Sequence, residues 1–196
     1  MKSLESIYNS ILLENQNTNN IDLKLLKICV NGIPGTYTIN DDGSIDVDGS
    51  VDISNGRLTK IPFKFRHVSG GFYCCDNQLT SLEGAPKYVG GGFGCYGNQL
   101  TSLEGAPNRV SGGFYCDHNQ LITLDGAPKT VGGNFVCYDN PNLTYSELFK
   151  IVDKVKGNIY YSSRYLPEDK DKIRRNRDVK TVLKDNELGS LDVWIL

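Results

Sequence analysis

The sequence predicts a solenoid, a stack of short parallel-strand coils that is mostly β with little helix and is capped at both ends. Three observations carry this reading. The phrase NQLTSLEGAP at 77–86 returns at 98–107 and, as NQLITLDGAP, at 119–128. Val68, Val89, Val110 and Val131, then Phe72, Phe93, Phe114 and Phe135, then Cys74, Cys95, Cys116 and Cys137, each recur every 21 residues. Glycine, 21 of 196 residues, concentrates in the same stretch, which points to special backbone positions there. A fixed period near 20 residues makes each repeat one structural unit, because one coil cannot bury its own apolar face whereas a stack can.

From the amino terminus, residues 1–50 read as a cap. In MKSLESIYNSILLEN, Leu4, Ile7, Tyr8, Ile11 and Leu12 share one helical face, and IDLKLLKICV extends the apolar surface. TYTINDDGSIDVDGSVDIS alternates apolar and polar residues about turns at Asp42-Gly43 and Asp48-Gly49, so hairpin strands are expected to feed the first coil. Its aspartates loosely resemble a calcium loop but lack the full pattern and the terminal glutamate.

The array is expected over 51–143. A worn first copy carries Val51, Ile53, Leu58, Ile61 and Val68, with Gly56 where later copies have asparagine. In the regular copies F-x-C places two apolar side chains on one face of a strand. Stacked strands then superpose Phe on Phe and Cys on Cys. Asn77, Asn98, Asn119 and Asn140 follow; turned inward, each can bond backbone groups in its own coil and the next. Leu79, Leu100 and Leu121 and then Leu82, Leu103 and Leu124 fill the interior. Pro86, Pro107 and Pro128, with the Gly-Gly pairs, are expected to turn the chain on the far side.

Residues 144–196 read as a second cap with a charged tail. Thr144-x-x-Glu147 is a capping box before an apolar stripe of Leu148, Ile151, Val152 and Val155, and Gly157 is a helix stop. NIYYSS reads as a strand. The tail holds Lys170, Lys172, Arg174, Arg175, Arg177, Lys180 and Lys184, interleaved with Glu168, Asp169, Asp171 and Asp178. A solvated face is its plain reading; contact with phosphate or an acidic partner is the sharper one. LGSLDVWIL, with Trp194, packs as a last strand or docks a partner.

The order V-x-x-x-F-x-C-x-x-N-x-L-x-x-L resembles a leucine-rich repeat, and NQLTSLEGAP is similar to the short bacterial effector type. Glu83, Glu104 and Asp125 stand where that type has proline. PKYVGGGFGCYGNQLTSLEGAP, with the opening MKSL and the closing NPNLTYSELFKIVDKVKGNIY, resembles leucine-rich repeat proteins of large tailed bacteriophages. The resemblance implies a strand and a largely extended back in each coil. Some effectors of this type carry a ubiquitin-ligase domain, for which the residues after the array are too few.

Chemistry is sparse. The net charge of −2 gives the whole chain no pull toward nucleic acid or membrane. No apolar run approaches a bilayer span, and the amino terminus lacks the core and cleavage site of a secretory signal. A cytoplasmic location with reduced thiols follows, in the host bacterium if the chain is phage-encoded. Cysteines locked to the repeat read as small core residues, and no C-x-x-C pair suggests metal. His118 and Asp117 are expected to diverge, and neither a triad nor a phosphate loop is recognisable. The chain is therefore read as non-enzymatic, with no catalytic residue, metal or cofactor.

The residues between and after the inward Phe and Cys are expected to face outward on the concave side. They include Tyr73, Cys75 and Asp76; Gly94, Tyr96 and Gly97; Tyr115, Asp117 and His118; Val136, Tyr138 and Asp139. Tyrosine is a good strand residue, and it is also rich in binding hot spots. The expected site is a protein-binding strip of Tyr73, Asp76, Tyr96, Tyr115, Asp117, His118, Tyr138 and Asp139, its acids favouring a basic partner. That partner is read as a host protein that the chain inhibits or redirects, such as a defence protein. The sequence leaves open a nucleic-acid factor acting through Lys172, Arg174, Arg175, Arg177 and Lys180, a virion structural or assembly adaptor, and self-association.

Overall fold

A computed structural model describes Cys29, residues 37–161 and the backbone of residues 193–195. The predicted amino-terminal helix and the basic tail lie outside the described residues. The fold is a parallel β-solenoid of about five turns with almost no helix. One antiparallel hairpin opens it. Its strands β1 (Tyr37–Ile39) and β2 (Ile45–Val47) pair through Ile39↔Ile45, and Gly43 N–H donates to Asn40 O at 2.9 Å within the turn.

Each coil contributes two strands, not one strand and an extended back. The first sheet runs β1-β2-β4-β6-β8-β10, adding β4 (Phe65–Val68), β6 (Tyr88–Val89), β8 (Arg109–Val110) and β10 (Thr130–Val131). The second contains β3 (Val51–Asp52), β5 (Phe72–Tyr73), β7 (Phe93–Gly94), β9 (Phe114–Tyr115) and β11 (Phe135–Val136). It ends on β12 (Ile159–Tyr161) and β13 (Val193–Ile195). NIYYSS and the terminal segment therefore do contribute strands, and Trp194 is the backbone partner of Tyr160.

The Gly-Gly pairs sit at the corner between the two strands of a coil rather than on a far side. Gly91 N–H donates to Gly70 O, Gly112 N–H to Gly91 O and Gly133 N–H to Gly112 O, so the corner is itself a backbone ladder. A Cβ on Gly132 would stand 2.1 Å from Ser111 O, which is why a side chain is excluded there. The Asp48-Gly49 turn is such a corner too. It joins β2 to β3, which pair in parallel with β4 and β5, so no second hairpin forms.

Between the sheets, Phe72, Phe93, Phe114 and Phe135 stack at centroid distances of 5.6, 5.2 and 5.1 Å. Cys74, Cys95, Cys116 and Cys137 are fully buried beside them, and Cys29 and Cys75 are buried as well. All six thiols are free. Burial pushes them up, Cys75 to about 11 and Cys29 to about 12, so these are packed neutral groups and not nucleophiles.

The asparagines close each bend. Asn119 Nδ2 donates to Cys116 O and Asp117 O in its own coil and to Cys95 O in the preceding one, while Oδ1 accepts Leu100 N–H at 3.1 Å. Asn77, Asn98 and Asn140 repeat the pattern. Each ties its coil to the one before rather than to the next.

The capping box does not form. Thr144 makes no side-chain cap, and residues 145–150 are a 3₁₀ helix. Glu147 reaches across instead to Leu124 N–H, Thr123 Oγ1 and Lys150, each at 2.8 Å, covering the end of the previous coil. Leu148, Ile151 and Val155 are buried as the apolar stripe requires. Gly157 continues the corner ladder by donating to Gly133 O.

Candidate functional site

The outward face of the Phe–Cys sheet carries the predicted strip, rearranged. Parallel pairing aligns Tyr73, Gly94, Tyr115, Val136 and Tyr160 in one row. Two residues further along each coil, the 21-residue period makes a second row of Cys75, Tyr96, Asp117 and Tyr138. Large and small alternate in both rows, out of phase. The four tyrosines therefore form a staggered pattern instead of one column. Rings spread over small neighbours: a Cβ on Gly94 would lie 3.1 Å from Tyr73 Cδ1.

That packing covers four residues of the outward face. Cys75, Gly94, Asp117 and Val136 are buried, Asp117 with only 6% of its surface exposed. Tyr73, Tyr96 and Tyr115 remain over a third exposed, and Tyr138 is half-buried.

After the strand the chain bends through a left-handed residue in every coil. Asn55, Asp76, Gly97, His118 and Asp139 have φ of 57, 51, 66, 51 and 49°. Only glycine adopts this without strain, and Asn, Asp and His are the side chains that visit it most often. The row was readable in the sequence by that residue choice. It also explains why His118 and Asp117 do not diverge: the bend swings both onto one side, with His118 Nδ1 2.9 Å from Asp117 Oδ2. His118 Nε2 is 3.1 Å from Asp139 Oδ2, and its ring meets Tyr138 edge-on at 5.3 Å. Partial burial and the nearby Asp117 charge push the Tyr138 phenol up; the adjacent Cys75 sulfur does the same, with burial, at Tyr96.

These residues enclose a groove of about 750 Å³ lined by Asp76, Tyr96, Gly97, Tyr115, Asp117, His118, Asn134, Val136, Tyr138 and Tyr160. It gathers every predicted strip residue except Tyr73 and Asp139. Asp139 touches it through His118. Tyr160 was missed because it joins its row only after the 24-residue step that follows β11 breaks the period, and Asn134 because it stands in register with Gly92 and Gly113, where earlier coils carry no side chain.

The calcium-like aspartates are engaged within the protein. Asp42 accepts Ser44 N–H and pairs with Lys64 at 3.1 Å, Asp46 pairs with Arg66, and Asp48 accepts the Ser69 hydroxyl. Among the described residues no group of three His, Cys, Asp or Glu is placed to hold a metal, and no helix is long and apolar enough to cross a membrane. Lys172, Arg174, Arg175, Arg177 and Lys180 lie outside the described residues.

The class of protein defined by this geometry is a two-sheet parallel β-solenoid with an aromatic, acidic groove on one sheet. Comparison with protein families, with curated proteins and with solved structures gives no match.

Proposed function

We propose that the chain is a leucine-rich-repeat type of binding module, phage-encoded, without catalytic activity of its own. It acts in the bacterial cytoplasm by covering a surface of a host protein and so inhibiting or redirecting it. The observation that carries the reading is the groove: tyrosines from successive coils are held by a rigid ladder, staggered so that each ring keeps an accessible face. Tyrosine in such a setting offers large, stiff contact area with a polar tip. The backbone beneath it is fully laddered, so little ordering entropy is lost on docking. The wording of the repeats, similar to tailed-phage proteins, supports a host protein as the target.

The test is capture from nuclease-treated bacterial lysate with tagged wild type beside a variant carrying alanine at Tyr73, Tyr96, Tyr115 and Tyr138. A host protein retained by wild type and lost by the variant, with unchanged circular dichroism, is the expected result. Equal retention by both overturns the reading.

A further inference from the structure

We propose that the groove receives an arginine side chain from an extended segment of the protein partner, an inference that rests on the protein-binding reading above. Its lining includes four tyrosines and three acid-or-imidazole positions, Asp76, Asp117 and His118, and no lysine or arginine is among the described residues that line it. The single histidine is already held: its two ring nitrogens face Asp117 and Asp139 at 2.9 and 3.1 Å. Asp76 is different. It is exposed and enters no ion pair among the described residues.

Its place is built into the fold. Gly97 follows Asp76 in the left-handed row, with φ of 66°, and a Cβ there would fall 2.3 Å from Asp76 Oδ1. The missing side chain is thus the space in which the Asp76 carboxylate lies, on the groove wall it shares with Tyr96 and Tyr115. A cation entering here meets aromatic faces and one uncompensated carboxylate.

The two features together favour guanidinium over ammonium. A planar guanidinium stacks on a tyrosine face and presents paired N–H groups to a carboxylate, whereas a lysine ammonium is a compact and strongly hydrated charge. The volume suits one long side chain with the backbone that flanks it.

The probe is the capped peptide GGRGG, titrated into the labelled full chain and followed by amide shifts, with GGKGG, GGEGG and free arginine amide beside it. Shifts should centre on Gly97 and Tyr115, with GGKGG several-fold weaker. Asp76→Asn keeps a residue type suited to the left-handed bend and should weaken GGRGG by about tenfold through loss of the charge-assisted bonds. Tyr115→Phe should retain most binding and Tyr115→Leu should lose about fivefold.

Binding of GGRGG that Asp76→Asn leaves unchanged, or equal binding of GGEGG, overturns the proposal. Arginine amide binding as tightly as GGRGG also overturns it, by assigning the groove to a free guanidinium compound. Absence of GGRGG binding while the tyrosine variant still loses its host protein sinks the arginine inference alone. A tyrosine variant that keeps its host protein while GGRGG binds sinks the protein-binding reading instead.

Discussion

At the scale of single residues, the asparagine row does the most per side chain. Asn119 donates to three carbonyls and accepts the Leu100 N–H at the bend, where the ladder thins. Replacing it by alanine leaves Leu100 N–H buried without a partner and takes one bond from each of the carbonyls, which still accept from Asn98, Asn140 and Gly97 N–H; the loss should be about 1–3 kcal/mol. Urea denaturation of Asn119→Ala measures this, and a loss under about 1 kcal/mol would mean water has replaced the amide. Glu147 offers a second test. Burial opposes its ionisation, but Lys150, Leu124 N–H and the Thr123 hydroxyl outweigh burial and hold the carboxyl below its usual range. A lowered folded value contributes stability that is present at neutral pH and lost as pH falls through it. Glu147→Gln should therefore lower the urea midpoint at pH 7 and narrow its difference from wild type in acid. The residue type of the asparagine row was legible, because its position demands a chemistry that few side chains supply. The partner of Glu147 was not: a threonine-glutamate spacing looks the same whether the acid caps its own turn or covers the preceding coil.

At the scale of elements, each strand is only two to four residues long, so stability resides in the stacks that cross coils. Phe114 touches a parallel ring on both sides, at 5.2 and 5.1 Å. Phe114→Ala should cost about 3–5 kcal/mol, visible in the same urea titrations, since neighbouring coils cannot collapse into the gap without breaking their own ladder. The cysteine stack makes a pH prediction. Burial raises the thiols of Cys74, Cys95, Cys116 and Cys137 above their ordinary value, so the folded chain keeps protons that the unfolded chain releases. Their contribution is complete below the ordinary thiol value of 9.0 and is lost as pH rises past it toward the folded values. The urea midpoint should fall more steeply from about pH 8.5 to 10.5 in wild type than in a Cys95→Ala, Cys116→Ala variant. Parallel profiles would show that the thiols do not carry the alkaline transition. The strand through Phe and Cys was legible from period-two burial. The strand through Val89, Val110 and Val131 was not, because one apolar residue per coil carries no alternation and its pairing comes only from the coil above.

At the scale of the whole molecule, the architecture is close to one-dimensional. Contacts run from each coil to its neighbours, and stability is a sum of coil and interface terms. Deletion of residues 98–118, one complete period, should leave the far-ultraviolet spectrum per residue unchanged and lower the melting temperature without loss of cooperativity. Deletion of residues 98–107 breaks the register of every later row and should abolish cooperative melting. A chain that tolerates both would not be a register-locked solenoid.

The sequence by itself determined the period, the identity of the stacked core and the inward asparagines, because a fixed interval leaves every coil the same burial problem and the same answer. It also marked the tyrosines as the variable surface residues. Tertiary structure alone decided that each coil carries two strands and that the glycine pairs form the corner between them. It also decided that Asp117 is buried and that Tyr160 completes the groove. The physical reason is shared: these outcomes depend on which backbone of the next coil approaches, and on which neighbouring ring leans over a small residue. Both are relations between positions 21 or more residues apart, with no local signature in the chain.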